Sequence, residues 1–183
     1  MDALQDFLAW LAAKEDTPYL WGGRGTRMTL PPVGSSEPPP PDPDGLYPSP
    51  YEGYDCFGFP ACGLLEVGGP DLRGWWTDRA WAELPRVATP EPGCLVFYAP
   101  AQPSGPQDVE HVEVVVGPGT AICLAGDQQG LPGWRTIGAR GGNHLTTSAR
   151  MAESQGARVQ YRPNHLLRPR VAGFCRLPLP GQK

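Results

Sequence analysis

A block of lysines and arginines is missing from this 183-residue chain, whose formal net charge is −4 and whose pI is near 5.3. Neither a basic run nor a basic amphipathic helix is present, which argues against a nucleic-acid partner or an anionic membrane surface. No apolar stretch approaches the roughly 20 residues that span a bilayer, so membrane insertion is not expected. The amino terminus, Met1-Asp2-Ala3-Leu4-Gln5-Asp6, carries acids where a secretory signal would be positive. The expectation is therefore a protein that is cytoplasmic when made. The cysteines, Cys56, Cys62, Cys94, Cys123 and Cys175, lack the repeated short spacing of a structural zinc site. Their odd number leaves at least one free thiol, and a reducing compartment is the simpler reading. The length suits one domain with a continuous core and is short for two.

What the chain has in excess is glycine and proline, 24 of each. Much of this excess lies within 31–50, which marks an insertion rather than a disordered protein. Between about 26 and 53 neither helical nor strand periodicity is visible, and the proline run 38–41 reads as extended polyproline. A long surface loop is expected there. Before it, Leu4, Phe7, Leu8 and Leu11 recur at helical spacing, with Asp2 placed to cap the helix and Pro18 beyond its end.

The loop leads into the stretch around which the rest is arranged. Cys56 follows Asp55 and precedes an apolar segment from Phe57 to Glu66, long enough for two to three helical turns. A thiol at a helix mouth feels the positive end of the helix dipole, which favours the thiolate. Beyond it, Trp75, Trp76 and Trp81 either line a groove or pack in the core, and core packing is the commoner fate of such residues. Cys94 to Tyr98 has strand character after a turn at Glu91-Pro92-Gly93. His111-Val112-Glu113-Val114-Val115-Val116 is the strongest strand pattern. Alternation puts His111, Glu113 and Val115 on one face and Val112, Val114 and Val116 on the other.

A turn at Gly117 to Thr120 is expected to return the chain into a strand over 121–125, with Gly126 or, after a bulge, Asp127 opposite His111. Strands are also expected over 134–139, 158–161 and 171–177, and a short helix over 147–156. Cysteine plus histidine is the minimum for thiol catalysis: the imidazole takes the thiol proton and later protonates the leaving amine, while a third polar group holds its tautomer. On residue types alone, a core cysteine and a surface histidine explain the same pattern.

Four blocks in order sharpen that choice: Tyr19-Leu20-Trp21-Gly22-Gly23, Tyr54-Asp55-Cys56-Phe57-Gly58-Phe59, Pro92-Gly93-Cys94-Leu95-Val96-Phe97-Tyr98 and His111-Val112-Glu113-Val114-Val115-Val116-Gly117. Together they resemble the signature blocks of the NlpC family of papain-like cell-wall cysteine peptidases, over most of the chain from Tyr19 onward. The segment Gly138-Ala139-Arg140-Gly141-Gly142-Asn143 resembles phage-encoded members. The resemblance implies an α+β papain-like fold, with an antiparallel sheet packed against the helix that bears the nucleophile. It implies Cys56 as nucleophile and His111 as general base, with Tyr19, Trp21 and Asp55 bordering the substrate; Asp55 also reads as a helix-capping acid, and the two roles can coexist. No metal or other cofactor is implied. The implied substrate is a peptidoglycan stem peptide, cut at a γ-D-glutamyl to diamino-acid link. The phage-like segment adds possible tail proteins as partners and a virion location.

Several positions depart from that pattern. Phe57 stands where a small hydroxyl residue is usual, which suggests a more apolar pocket. Glu113 replaces a common glycine two residues after the histidine on the same face; it could assist His111 or face solvent, and solvent is the expectation. The third catalytic group usually lies on the strand after the base, where Cys123 or Gly138 would fall, and neither suits the task. His144 is the first substitute, with Asn143 and Asp127 behind it. An inactive virion protein of the same fold, or an amidase or acyltransferase on a non-wall substrate, are the alternative functions.

Overall fold

The carboxylate of Asp2 accepts the Leu4 N–H at 3.2 Å and caps α1 (Ala3–Ala13), as its position at the head of the apolar repeat predicts. Phe7 and Leu11 are fully buried, and Trp10 meets Tyr54 and Phe59 with ring centroids 5.8 and 5.9 Å apart. These contacts come from a computed structural model that describes residues 2–28, 47–100, 102–105, 108–118, 134–162 and 171–181.

The flanks of the proline-rich insertion are not loop. β1 (Arg24–Met28) and β2 (Tyr47–Tyr54) form a two-stranded antiparallel sheet, pairing Arg24 with Tyr54 and Gly25 with Gly53, then Arg27 with Pro48 beyond a register break. The expectation of an unpaired segment over 26–53 is corrected to that extent. Prolines in β2 hide the strand pattern, yet a two-stranded sheet has open edges where a missing N–H is tolerated. The polyproline reading at 38–41 lies outside the described residues.

α2 (Gly58–Glu66) and α3 (Thr77–Glu83) follow, then the main sheet begins with β3 (Arg86–Val87), β4 (Leu95–Tyr98), β5 (His111–Pro118) and β6 (Trp134–Arg140). α4 (Ala149–Gln155) precedes β7 (Arg158–Tyr161) and β8 (Val171–Cys175). The six strands run in the order β3-β8-β4-β5-β6-β7, every neighbouring pair antiparallel. The expected strands at 94–98, 111–116, 134–139, 158–161 and 171–177 are all present in this sheet. The strand expected at 121–125 lies outside the described residues, and the described neighbours of β5 are β4 and β6. α4 matches the expected helix: Ser148 caps it through the Met151 N–H, and Gly156 ends it with φ at 64°.

The alternation on β5 holds, but both faces are covered. Val112 and Val114 join Phe7, Leu11, Phe57, Phe59 and Leu64 in the core between sheet and helices. Val115 packs with Val96, Tyr98, Trp134 and Phe174 on the opposite face. The fold is thus α+β, with the antiparallel sheet and α2 sharing one core. None of the described helices is long and apolar enough to cross a membrane.

Candidate active site

The mouth of α2 is built by Asp55. Its Oδ1 accepts the N–H groups of Phe57 and Gly58 at 3.1 and 2.6 Å, and its carbonyl accepts the Phe59 N–H. This satisfies amides that a helix start leaves without partners, and it fixes Cys56 at the head of the helix. Oδ2 lies 2.5 Å from Nη1 of Arg24, a charge contact between two side chains closed off from solvent. Arg24 in turn donates to the carbonyls of Gly23, Arg73 and Trp75. The carboxylate of Asp55 thus takes the helix-capping role expected of it, and both its oxygens are engaged inside the protein rather than turned to a substrate.

Cys56 is buried, its sulfur 3.4 Å from Oγ1 of Thr77, the first residue of α3. The backbone N–H of Val112 faces the sulfur closely enough to favour its thiolate, which places the start of β5 beside the mouth of α2. Burial pushes the thiol up to about 11, and the charge of Asp55 adds to the rise, while Thr77, Arg24 and the Val112 N–H pull the other way without prevailing. The position at the helix mouth does not make the thiolate by itself, in keeping with the need for a base nearby. Desolvation prevails, and the sulfur needs a proton acceptor beside it to ionise near neutral pH.

Cys56 opens onto a cavity of about 170 Å³ lined by Trp21, Asp55, Trp76, Thr77, Asp78 and Glu110. The indoles of Trp21 and Trp76 lie 5.6 Å apart at 38° and form an aromatic wall. Asp78 and Glu110 are exposed carboxylates at the rim. The three tryptophans thus divide: Trp81 enters the core against Phe97 at 5.1 Å, as expected, Trp75 packs partly buried against that core under Arg79, and Trp76 faces the cavity. Phe57 points the other way. It is wholly buried in the main core and does not line the cavity, so the expected apolar pocket is not built by it.

His111 opens β5 opposite Tyr98 of β4 and is 5 % exposed. Its Nε2 lies 3.2 Å from Oε1 of Glu113. The expectation that Glu113 faces solvent is overturned: its exposure is 0 %. The second face of the sheet, solvent in many antiparallel sheets, is closed here, and several of the side chains that close it reach this carboxylate. Oε2 accepts from Tyr98 Oη, Thr136 Oγ1 and Arg162 Nε at 3.2, 2.7 and 2.9 Å, and Oε1 lies 2.5 Å from Arg162 Nη2. Burial by itself would raise the Glu113 carboxyl. The hydrogen bond and charge of His111, then the charge of Arg162, outweigh it and hold the group well below the usual carboxylate range. Arg162 is correspondingly held above its ordinary value, since the charge of Glu113 overcomes its own desolvation.

The remaining predicted residues sit around this centre. His144 is exposed, with its ring edge toward Trp21 at a centroid distance of 6.4 Å. Asn143 turns its Oδ1 back to the Leu145 N–H, a local turn that occupies its carbonyl. The same loop is tied to Trp21, whose N–H donates to the Thr146 carbonyl at 2.8 Å. Tyr19 is buried, bridged to Tyr54 and covered by Gly142. Asp127 and Cys123 lie outside the described residues. Thr77, Arg24, Thr136 and Arg162 were not anticipated. The last two meet Glu113 from separate strands or connections, and no local pattern announces such a meeting. No cluster of metal-binding side chains occurs among the described residues.

No protein-family model and no curated protein matches the sequence. The likeness appears at the level of structure. The P60 domain of an antigen from Mycobacterium avium subspecies paratuberculosis superposes with a TM-score of 0.53 at 18 % identity, covering 96 % of this chain and 95 % of that one. An NlpC/P60 family protein from Bacillus cereus gives 0.55 at 18 % identity, over 97 % of this chain and 40 % of the longer one. RipD of Mycobacterium tuberculosis, a non-catalytic NlpC/p60 domain protein adapted to peptidoglycan binding, gives 0.53 at 14 % identity, over 97 % and 98 %. The chain has the NlpC/P60 domain fold. At these identities the likeness is one of fold, and what the site does is argued from its own residues.

Proposed function

We propose that this chain is a cysteine peptidase that hydrolyses a peptide bond in peptidoglycan stem peptides. The observation that carries the reading is the junction of α2 and β5: the buried sulfur of Cys56 at the head of α2 lies beside the backbone N–H of Val112, the residue after His111. Cys56 is the nucleophile and His111 the general base. The imidazole removes the thiol proton as the sulfur adds to the scissile carbonyl carbon. The tetrahedral adduct collapses when the imidazolium returns that proton to the leaving amine, and a thioester remains on Cys56. Water, deprotonated by the same imidazole, then attacks the thioester and releases the acid and the thiol.

The aromatic wall and the two rim carboxylates support a substrate with an extended apolar stem and a cationic group. A diamino acid supplies such a group in its second amine, which favours the γ-D-glutamyl to diamino-acid link as the bond cut. The phage-like segment near Gly142 supports delivery to the wall on a tail, with tail proteins as partners. Mass spectrometry of purified peptidoglycan after incubation with the protein tests the reading, beside a Cys56→Ala control whose folding is verified by circular dichroism. New stem-peptide fragments that vanish in the control support hydrolysis. Their absence from walls of several cross-link types, with retained wall binding, would align the chain with the non-catalytic domain described above.

A further inference from the structure

Histidine in a thiol site needs a partner that fixes its ring, and the geometry around β5 supplies one from an unusual direction. His111 and Glu113 are two residues apart on one strand, so their side chains leave the same face about 7 Å apart along the backbone. That spacing lets a carboxylate reach back to the imidazole, and Nε2 and Oε1 meet at 3.2 Å.

The neighbouring strand makes room for this. Val114 pairs with Ile137, so one further step in the register sets Gly138 of β6 opposite Glu113. A Cβ at Gly138 would lie 2.7 Å from Cγ of Glu113 and 3.3 Å from its Cβ. A side chain at 138 and the present conformation of Glu113 compete for one volume. Gly138 is also a position where the family resemblance would place a third catalytic group on the strand after the base. The strand that would carry that group has given up its side chain, and the volume is filled from β5.

The carboxylate is further held in one orientation. Three donors, Tyr98 Oη from β4, Thr136 Oγ1 from β6 and Arg162 Nε from beyond β7, fix Oε2. Oε1 is left to His111 and Arg162 Nη2, with Arg140 Nε at 4.0 Å. A buried carboxylate with a guanidinium beside it stays an anion, able to accept from the imidazole and to stabilise the imidazolium.

We propose that Glu113 is the positioning residue of this site: it holds Nε2 of His111 from the histidine's own strand, in the volume that Gly138 leaves empty on β6. Proton exchange with Cys56 then falls to Nδ1. His144, Asn143 and Asp127 are not needed for this task. The inference rests on the proposed Cys56–His111 chemistry, but not on the wall substrate.

The test follows from the charges that surround the imidazole, namely Glu113, Arg162, Arg140 and the Tyr98 phenol. Glu113→Gln keeps the shape and removes the negative charge. Its expected kcat falls by about 100-fold or more with KM little changed, the range a general base loses when it is misaligned. The alkaline limb of its pH profile moves to lower pH, because an imidazolium without its anion gives up its proton more readily. Adding Gly138→Asn to Glu113→Ala refills the volume from β6 and is expected to recover at least tenfold over Glu113→Ala alone. If the single variants do not fold, Glu113→Gln with Arg162→Gln removes both buried charges and carries the same readout.

Iodoacetamide alkylation of Cys56 against pH, followed by peptide mapping, requires no wall substrate. A wild-type protein inert on peptidoglycan, whose thiol profile nevertheless shifts in Glu113→Gln, sinks the substrate reading and keeps this one. A folded Glu113→Gln protein with the wild-type alkylation profile and wild-type kcat overturns the inference.

Discussion

Arg24 and Asp55 meet at 2.5 Å in the interior, on the two chain segments that bracket the insertion, and the nucleophile candidate is the next residue after the pair. Arg24 belongs to β1 and also holds the carbonyls of Arg73 and Trp75, so one side chain ties the mouth of α2 to the connection leading into α3. The contact closes the interior side of the site.

Arg24→Ala is therefore expected to cost about 3–5 kcal/mol of stability, the usual penalty when one partner of a buried pair is removed and the other charge is left in place. A urea titration checks it: the midpoint drops with the slope unchanged. Arg24→Lys does not restore stability, since one ammonium cannot reproduce the planar fork that reaches Asp55 and three carbonyls at once. A midpoint within experimental error of wild type in Arg24→Ala would mean that Asp55 finds other compensation.

The tryptophans give a contrast between neighbouring residues. Trp81→Ala removes a buried indole from beside Phe97 and is expected to cost about 3–5 kcal/mol of stability. Trp76→Ala, half-buried against Trp21 at the cavity, is expected to cost less in stability and to raise KM for a stem peptide. Thermal unfolding and steady-state kinetics on the two variants separate the effects. Equal losses of both properties in both variants would remove Trp76 from the substrate wall.

How far the sequence foretold this structure depended on the range over which each signal acts. The cap at Asp2, the helix after Asp55 and the five strands of the main sheet that it outlined are written in local pattern, and all are present. The position of Cys56 at a helix mouth against the strand that starts with His111 followed from block order and resemblance. Glu113 was misread because one strand pattern cannot say whether its second face is covered. The cover comes from Tyr98, Thr136 and Arg162, separated from Glu113 by 15, 23 and 49 residues. The rise of the thiol was not legible for a related reason. The place of Cys56 before an apolar helix is visible in sequence, whereas the burial that raises it is a property of the packed molecule.

The two carboxylates at the cavity rim lead to a specificity prediction. Asp78→Asn and Glu110→Gln are each expected to raise KM several-fold for substrates that present a free amine, with kcat little changed, because exposed charges steer and hold a cation without touching the reacting atoms. The effect should shrink as ionic strength rises toward 0.5 M, where screening acts within a few ångströms. Acetylating the amine should remove the difference between wild type and variants. A KM indifferent to amine, salt and both substitutions would place the cationic group elsewhere.

The thiol of Cys56 offers a direct measure of coupling to His111. Burial places its titration at about 11, so in the absence of an acceptor the neutral form predominates through the neutral and mildly alkaline range, and the thiolate grows only as pH approaches that value. In His111→Ala the alkylation rate at Cys56 should follow that course, low at pH 7 and still rising above pH 9. With the imidazole in place the ion pair forms earlier, and the wild-type profile should reach its plateau at least about two pH units lower. Peptide mapping is needed to separate Cys56 from Cys62, Cys94 and Cys175, which are also buried and free. Superimposable profiles in the two proteins would show that His111 does not take the thiol proton. The junction of α2 and β5 would then be a packing contact, and a catalytic reading of Cys56 would lose its base.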